Sequence, residues 1–546
     1  MTNSIAELDN ADVIFVIGSN PHIAHPVIGS FLSQAKERGT KIISADPRVI
    51  PASEIADVHM AHYSGGDIAI INGMINHIIK SGLHDKKFIE DRTTNFDEMW
   101  KVVEKYTPEY AAKLAGVTPD DIRKAAELYA KGPKSSIVFG MGVAQHANAV
   151  EAVWTIANLA MITGMVGKES TGINPLRGQN NVQGVCDMAC LPIFLPGYKL
   201  LNEGLAEALF GEAAAKAAKA DRERFEKAWG VTLNSENGID EVRMIDAANE
   251  GKMKCMYIVG ANPVIANPDS NEVIKALKKL DFLVVHDIFM TETAELADVV
   301  LPATSYAEKL GTVVNTERRI QMIRPAVKPV GNSKPDYQIL LELMSKFGYE
   351  NNLKTPEDIM KEIAGLVPQY AGVTYEKIVR NDNRYKGVRW PIAADKEEGV
   401  RFLHATAFSV GKAKLMPVEY SPPKEETCGE YPMILTTGRD LFHFHTITMT
   451  GKTDGIVDLS PYGILEIHPA DAAKYNLSHG DKLKISSRRG DVTAKAVVTD
   501  KIREGVVFSP FHHTDTHINI ITNPAYDPVA FEPELKVCAV KIEKVV

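Results

Sequence analysis

Residues 12–21 read DVIFVIGSNP, and residues 256–263 read MYIVGANP. Each is a short apolar run closed by Gly-x-Asn-Pro; the first, rich in β-branched residues, reads as a buried strand and the second as a strand, each giving way to a tight turn. After the first run, Val27, Ile28, Phe31, Leu32 and Ala35 recur at helical spacing. They predict a helix from about Pro26 to Arg38, ended by Gly39. Lys41 to Ser44 is then a second strand, running into Asp46-Pro47-Arg48. After the second run, Val273, Ile274 and Leu277 mark a helix, and Phe282 to Val285 a strand running into His286-Asp287. From Gly18 to Asp46 is 28 residues, and from Gly260 to Asp287 is 27. Two βαβ units with the same punctuation imply parallel strands and two related sites of nucleotide size.

The chemistry of such a turn supports that reading. A glycine at the end of a strand lets the backbone approach a pyrophosphate, and the next helix offers free N–H groups. An acid at the end of the following strand can accept hydrogen bonds from a ribose or a base. Neither copy contains GxGxxG, so the nicotinamide-dinucleotide fingerprint is absent. Ser135 to Gly142 is a further strand ending in glycines, and Ala149 to Val166 a buried helix. Leu205 to Lys227, rich in Ala, Glu and Lys, reads as a solvated surface helix, and Pro422 to Gly429 as a linker. Beyond it, Tyr431 to Thr436, Asp481 to Ser487 and Val492 to Val498 alternate apolar and polar residues, the period of a half-buried strand. Arg489-Gly490-Asp491 falls between two of these and predicts a hairpin turn. The last 120 or so residues therefore read as a β-barrel following an α/β portion.

The 546 residues, 45% apolar and 24% charged, describe an ordinary globular chain with several domains. A net charge of −9 without a basic cluster argues against a nucleic-acid partner. Cys186, Cys190, Cys255, Cys428 and Cys538 are too scattered for a disulfide framework and fit a reducing, cytoplasmic compartment. Acids stand in the first residues where a signal peptide needs basic ones. The most apolar stretch, 149–166, is interrupted by Glu151, Asn158 and two threonines, so no membrane span is expected.

Three places invite chemistry. Residues 174–188, NPLRGQNNVQGVCDM, combine amides, two glycines and a single Arg177. Read alone, this is a surface loop capped by its own side chains, or an anion-gripping segment, because a guanidinium holds a carboxylate or phosphate at two points. His443-Phe444-His445 places two imidazoles on one face of a strand, and His512, His513, Asp515 and His517 crowd a short loop. Either group offers zinc ligands, which keeps a metal hydrolase open beside the reading of a ligand groove lined by donors. Arg439 stands at the end of a predicted strand, as a ligand group or a surface ion-pair partner. GxSxG, HExxH and Walker A motifs are absent.

With these residues in view, the chain resembles the molybdopterin oxidoreductase family, and within it the large subunits of molybdenum or tungsten formate dehydrogenases. The most specific stretch is Arg177-Gly178-Gln179-Asn180-Asn181-Val182-Gln183-Gly184. It is supported by Gly18-Ser19-Asn20-Pro21, Asp46-Pro47-Arg48, Gly140-Met141-Gly142-Val143-Ala144-Gln145, His286-Asp287-Ile288-Phe289-Met290-Thr291 and Ala297-Asp298-Val299-Val300-Leu301-Pro302. The likeness runs from Met1 to the last strand. It implies an α/β fold of two pseudo-symmetric parallel-sheet dinucleotide-binding domains and a C-terminal β-barrel. The implied boundaries are 1–179, 180–305 (incomplete), 306–420 (a connecting region, remnant of an N-terminal domain) and 421–546.

The resemblance implies two molybdopterin guanine dinucleotides carrying molybdenum or tungsten. Gly18, Asn20, Asp46, Arg48, Gly65 and Asp67 would cradle one dinucleotide. Gly260, Asn262, His286, Asp287, Thr291 and Asp336 would cradle the other. Met141, Gln145, Gly178 and Gln179 would lie near the pterins, and Arg439, His443, His445, Phe511, Asn519 and Lys536 would come from the barrel. Arg177 would face the metal and fix formate for oxidation to carbon dioxide.

Ala24, Ala45 and Ala303 stand where similar proteins carry Ser, Cys and Ser. The family's four-cysteine [4Fe-4S] motif and its cysteine or selenocysteine metal ligand have no counterpart here, so neither cluster nor metal ligand is expected within Met1–Val546. They are expected upstream, behind a selenocysteine codon read as a stop, or on a partner chain, which would leave this chain inactive alone. Expected partners are formate and electron-transfer subunits: iron–sulfur, ferredoxin, NAD-linked or hydrogenase. A relative acting on another oxyanion such as nitrate, and a pterin-free scaffold subunit, are the alternatives. Arg177 within RGQNNVQG favours formate over the first, and two intact cradles argue against the second.

Overall fold

The computed structural model describes residues 1–380 and 387–545. The chain packs as two compact units, one of Met1–Gly178, Asn262–Ile274 and Phe402–Val546, the other of Gln179–Ala261 and Lys275–Arg401.

The first unit is built on a parallel five-stranded sheet in the order Val58–Met60, Lys41–Ala45, Val13–Ile17, Ser135–Phe139, Gly172–Pro175. All five residues of Val13–Ile17 are buried, as a central parallel strand covered on both faces requires. The helix after the first turn spans Pro26–Glu37 and buries Ile28, Phe31, Leu32 and Ala35. Val27, expected on that face, is 70% exposed. It lies at the edge of the apolar arc and in the first turn, beyond the reach of the sheet. Ala149–Ile162 is the expected buried helix. Among the described residues no helix is long and apolar enough to cross a membrane.

The same unit contains a closed six-stranded barrel. Its strands run in the order Met433–Gly438, Val506–Pro510, Ile464–Ile467, Gly490–Val498, Lys482–Ser487, Cys538–Lys544. Alternate residues such as Leu483, Ile485, Val492, Ala494 and Ala496 fill its interior. Ser487 pairs with Gly490, so Arg488-Arg489 forms the hairpin turn and Gly490-Asp491 begins the returning strand. His443 and His445, expected on a strand, lie in a loop. The strand ends at Gly438, and the Asp440 carboxylate then accepts the N–H groups of Phe442 and His443, turning the chain away from the ladder.

The second unit holds a parallel three-stranded sheet, Val299–Pro302, Phe282–Asp287, Cys255–Val259. The single helix expected over Leu205–Lys227 is two, Glu203–Phe210 and Glu212–Trp229, broken at Gly211 with φ +86°. The longer one is not wholly solvated: Phe225 is 1% exposed and packs on Trp229 at 4.9 Å between ring centroids.

Candidate functional site

Both Gly-x-Asn-Pro turns fold in the same way. Gly18 and Gly260 have φ +52° and +61°, and each amide reaches across to the next strand. Gly18 donates to the carbonyl of Ala45 at 3.0 Å, and Gly260 to that of His286 at 2.8 Å. The acceptor in each case is the residue before the aspartate. Asn20 and Asn262 adopt φ, ψ of −114°, 80° and −123°, 71°, and each precedes a four-residue helix, Pro21–Ala24 or Pro263–Ala266. One oxygen of Asp46 accepts the N–H of Arg48 at 3.0 Å, and one of Asp287 accepts those of Ile288 and Phe289 at 2.6 and 3.4 Å. Burial pushes both carboxyls above the ordinary carboxylate range.

A further matched pair escaped the sequence reading. Eleven residues after each aspartate stands Ala-Asp-Val. Asp57 accepts the N–H of Ile42 at 2.9 Å, and Asp298 that of Leu283 at 2.7 Å. Each carboxylate thereby staples the third strand to the second. The eleven-residue spacing was the available signal.

In the first unit, Gly18 is pressed against the turn that begins at Met141. Gly142 donates to the Gly18 carbonyl at 2.8 Å, and a Cβ on Gly18 would lie 2.6 Å from the Val143 nitrogen. Gln145 donates to Glu532 at 3.0 Å. Arg48 grips Glu466 of the barrel at 2.8 and 3.0 Å and lies 3.4 Å over the Phe508 ring. Lys536, 8% exposed, donates to the Thr437 carbonyl at 2.7 Å. Burial, with Arg439 as the next cause, pushes its ammonium down to about 7; Asp46, Arg48 and Glu532 also act on it. Asp67 begins the helix Asp67–Lys80, with His62 Nε2 3.9 Å from its Oδ1. Gly65 has φ +86°, and a Cβ there would meet Pro423 at 2.9 Å.

Arg177 and Gly178 follow the edge strand Gly172–Pro175. His25 Nε2 lies 2.7 Å from the Arg177 carbonyl, and Arg439 donates to that of Gly178 at 2.8 Å. Phe511 packs edge-on against His445, 5.8 Å between centroids. Burial pushes His445 and His512 down to about 4. Asn519 spends its amide on the carbonyls of Ile265 and Ala266, holding the turn that follows Asn262.

The two histidine groups do meet. Asp440, His443 and His513 bring one ligand atom each within 4.8 Å of one another. Both nitrogens of His443 are engaged, however, by the Ser460 carbonyl at 2.7 Å and the Thr450 hydroxyl at 3.0 Å. Ser460 Oγ donates to Asp440 at 2.8 Å, and although burial opposes it, the bonds from His513, the His443 N–H and Ser460 hold that carboxyl well below its ordinary value. The cluster is thus a closed hydrogen-bond network that fixes the loop.

Gln179 begins the second unit. There Tyr257 meets His286 Nδ1 at 2.9 Å, His286 Nε2 lies 3.4 Å from Asp336, and Lys309 pairs with Asp336. Thr291 is buried and accepts the N–H of Ala294 at 3.1 Å. The amides of the 174–188 stretch serve the fold more than the sequence suggested. Asn181 accepts from Val314 at 2.9 Å, and Gln183 donates to Asp187 at 2.8 Å. Asp187 also accepts from Tyr370 and Trp390 at 2.6 and 2.7 Å.

Several buried polar atoms of the first unit have no hydrogen-bond partner among the described residues: Asn20 Oδ1, His25 Nδ1, Arg48 Nε, His62 Nε2, Asp67 Oδ1 and His146 Nδ1. His286 Nε2 is the counterpart in the second. Native proteins rarely leave such groups unpaired, since each costs about 1–3 kcal/mol. Mixed donors and acceptors, cations, and the open space beside Gly260 suit a pterin dinucleotide with an anionic diphosphate. His25, His62 and His146 went unnoticed in the sequence, although His25 closes the first Gly-x-Asn-Pro turn.

A molybdopterin oxidoreductase family model matches residues 1–346, and a Molydopterin dinucleotide binding domain model matches 433–539. The chain is 45% identical over 549 residues to the F420-dependent formate dehydrogenase subunit alpha of Methanocaldococcus jannaschii, an alignment covering 100% of this chain and 78% of that protein. It is 35% identical over 551 residues to formate dehydrogenase H of Escherichia coli, covering 100% and 74%. The structure resembles acetylene hydratase from Pelobacter acetylenicus with a TM-score of 0.75 at 22% identity, covering 100% and 79%, a likeness of fold.

Proposed function

The chain belongs to the molybdopterin oxidoreductase family, and from that premise we propose that it forms the catalytic part of a formate dehydrogenase, oxidising formate to carbon dioxide. The observation that carries the proposal is the duplicated turn: one amide-to-carbonyl bond, Gly18 to Ala45 and Gly260 to His286, each onto the residue before an aspartate. Two matched turns suit two guanine dinucleotides. When bound, the metal, molybdenum or tungsten, and its pterins supply the two-electron redox chemistry.

The chain's own residues bind and orient. Asp46 and Asp287 take the guanosine ends. Gly18, Asn20, Gly65 and Asp67 shape the first cradle, and Gly260, Asn262, His286, Thr291 and Asp336 the second. Arg48, Arg439 and Lys536 offset diphosphate charge. Met141, Gln145, Gly178, Gln179, His445 and Phe511 border the pterins, while His443 and Asn519 brace the segments around them. Arg177 holds formate at two points, since its planar fork matches a carboxylate. An iron–sulfur group, upstream or on a partner subunit, would take up the electrons; two of the relatives carry names that describe them as F420-dependent.

The test uses the enzyme purified with its partner subunits. Metal and pterin content, and formate-dependent reduction of a viologen dye, are measured for wild type and Arg177→Lys. Lysine keeps the charge and loses the fork, so formate oxidation should fall at least about a hundredfold with cofactor content unchanged. Near-wild-type activity in the variant, or a wild-type protein without metal and pterin, would refute the reading.

A further inference from the structure

We propose that His25, acting with Arg439, is a positioning residue that clamps the backbone on which Arg177 is presented. This rests on the reading that Arg177 grips the substrate anion. The edge strand ends at Pro175, and Leu176 makes the last sheet-type bond there, to the Phe139 carbonyl at 2.9 Å. The next residues are Arg177 and Gly178, and a glycine beside a substrate-binding side chain leaves the backbone free to swing. Two successive carbonyls are then caught by donors from remote parts of the same unit. His25 lies 152 residues away in sequence and takes Arg177 O at 2.7 Å; Arg439 lies 261 residues away and takes Gly178 O at 2.8 Å. Those contacts fix the planes of both peptides, and with them the direction in which the Arg177 side chain leaves the chain.

A carbonyl oxygen only accepts, so His25 Nε2 carries the hydrogen and Nδ1 is bare. Burial, partly offset by the carbonyl contact and reinforced by the nearby Arg439 charge, keeps the ring below its ordinary pKa and so in this neutral tautomer. A Cβ on Gly178 would meet the end of the Arg439 guanidinium, so a side chain there would have to push that donor aside. His25 is itself the last residue of the first Gly-x-Asn-Pro turn, its amide bonded to the Pro21 carbonyl at 2.8 Å. The turn that shapes the first cradle thus also sets the arginine.

The test compares His25→Leu, which removes the donor, with His25→Gln, whose amide nitrogen reaches the place of Nε2. Both are made in the enzyme complete with cofactors and partner subunits. In His25→Leu the KM for formate should rise about tenfold while kcat changes far less, and His25→Gln should recover most of the loss. Hydrogen exchange of the peptide covering 177–181 should speed up in His25→Leu and return toward wild type in His25→Gln. Unchanged exchange in His25→Leu, or a glutamine variant that behaves as leucine does, overturns the clamp. So does cofactor loss without faster exchange, since His25 would then serve the cofactor instead. The exchange measurement needs no substrate and judges the clamp alone. Intact formate affinity in Arg177→Lys would sink the underlying reading alone.

Discussion

The amide of Gly260 donates to the carbonyl of His286 at 2.8 Å, repeating the 3.0 Å bond from Gly18 to Ala45. The two glycines share a positive φ but not their surroundings. A Cβ on Gly18 would lie 2.6 Å from backbone nitrogen, whereas a Cβ on Gly260 would meet nothing within 4 Å. Gly260→Ala therefore bears the cost of left-handed backbone alone, about 1–2 kcal/mol. Gly18→Ala adds backbone overlap and should lose about 3 kcal/mol or more. Thermal unfolding of both variants measures this. Equal midpoints would show that the Gly18–Gly142 contact is not tight.

Lys536 ties stability to pH. Its ammonium is pushed down to about 7 by burial, then by Arg439, against about 10.4 in an unfolded chain. Below pH 7 both states carry the proton and the folded state bears the full cost of burying it. Between 7 and 10.4 the folded chain sheds the proton first, so that cost fades as pH rises. Cofactor-free Lys536→Met should gain up to about 3–5 kcal/mol over wild type near pH 6, and the gain should shrink toward pH 10. A difference that stays constant from pH 6 to 10 would mean that the site leaves the lysine unperturbed.

Asp187 anchors the motif segment of the second unit by accepting from Gln183, Tyr370 and Trp390. Burial pushes its carboxyl upward, and the hydrogen bonds counter that. Asp187→Ala would leave the Tyr370 and Trp390 donors without an acceptor, while Gln183 keeps its bond to Tyr198 at 3.0 Å, a loss of about 2 kcal/mol or more. The urea midpoint should fall accordingly, with Asp187→Asn less affected because one acceptor oxygen remains. An unchanged midpoint in Asp187→Ala would mean that these donors find other acceptors.

The parallel architecture was readable because Val13–Ile17 and Cys255–Val259 are continuous apolar runs; the first is buried along its whole length, as a strand covered on both faces requires, whereas the second buries only Ile258. The glycines and aspartates were readable because backbone geometry demands them at fixed places. The loop at His443 was misread as a strand, since its spacing of two imitates alternation while the capping carboxylate of Asp440 decides the turn. The partners of Asn181, Gln183 and Asp187 were not readable, because a polar side chain carries no mark of its partner. His25 was invisible for the same reason: its acceptor is a carbonyl 152 residues away.

The central claim is that two matched turns each cradle one guanine dinucleotide. It is tested most directly by acid release and quantitation of guanine nucleotide from the purified holoenzyme, beside the same assay on Asp46→Ala and Asp287→Ala. The account predicts two nucleotides per chain in wild type and a lower yield in each variant, with both apo chains still folded. One nucleotide per chain, none, or a yield untouched by both substitutions would contradict it.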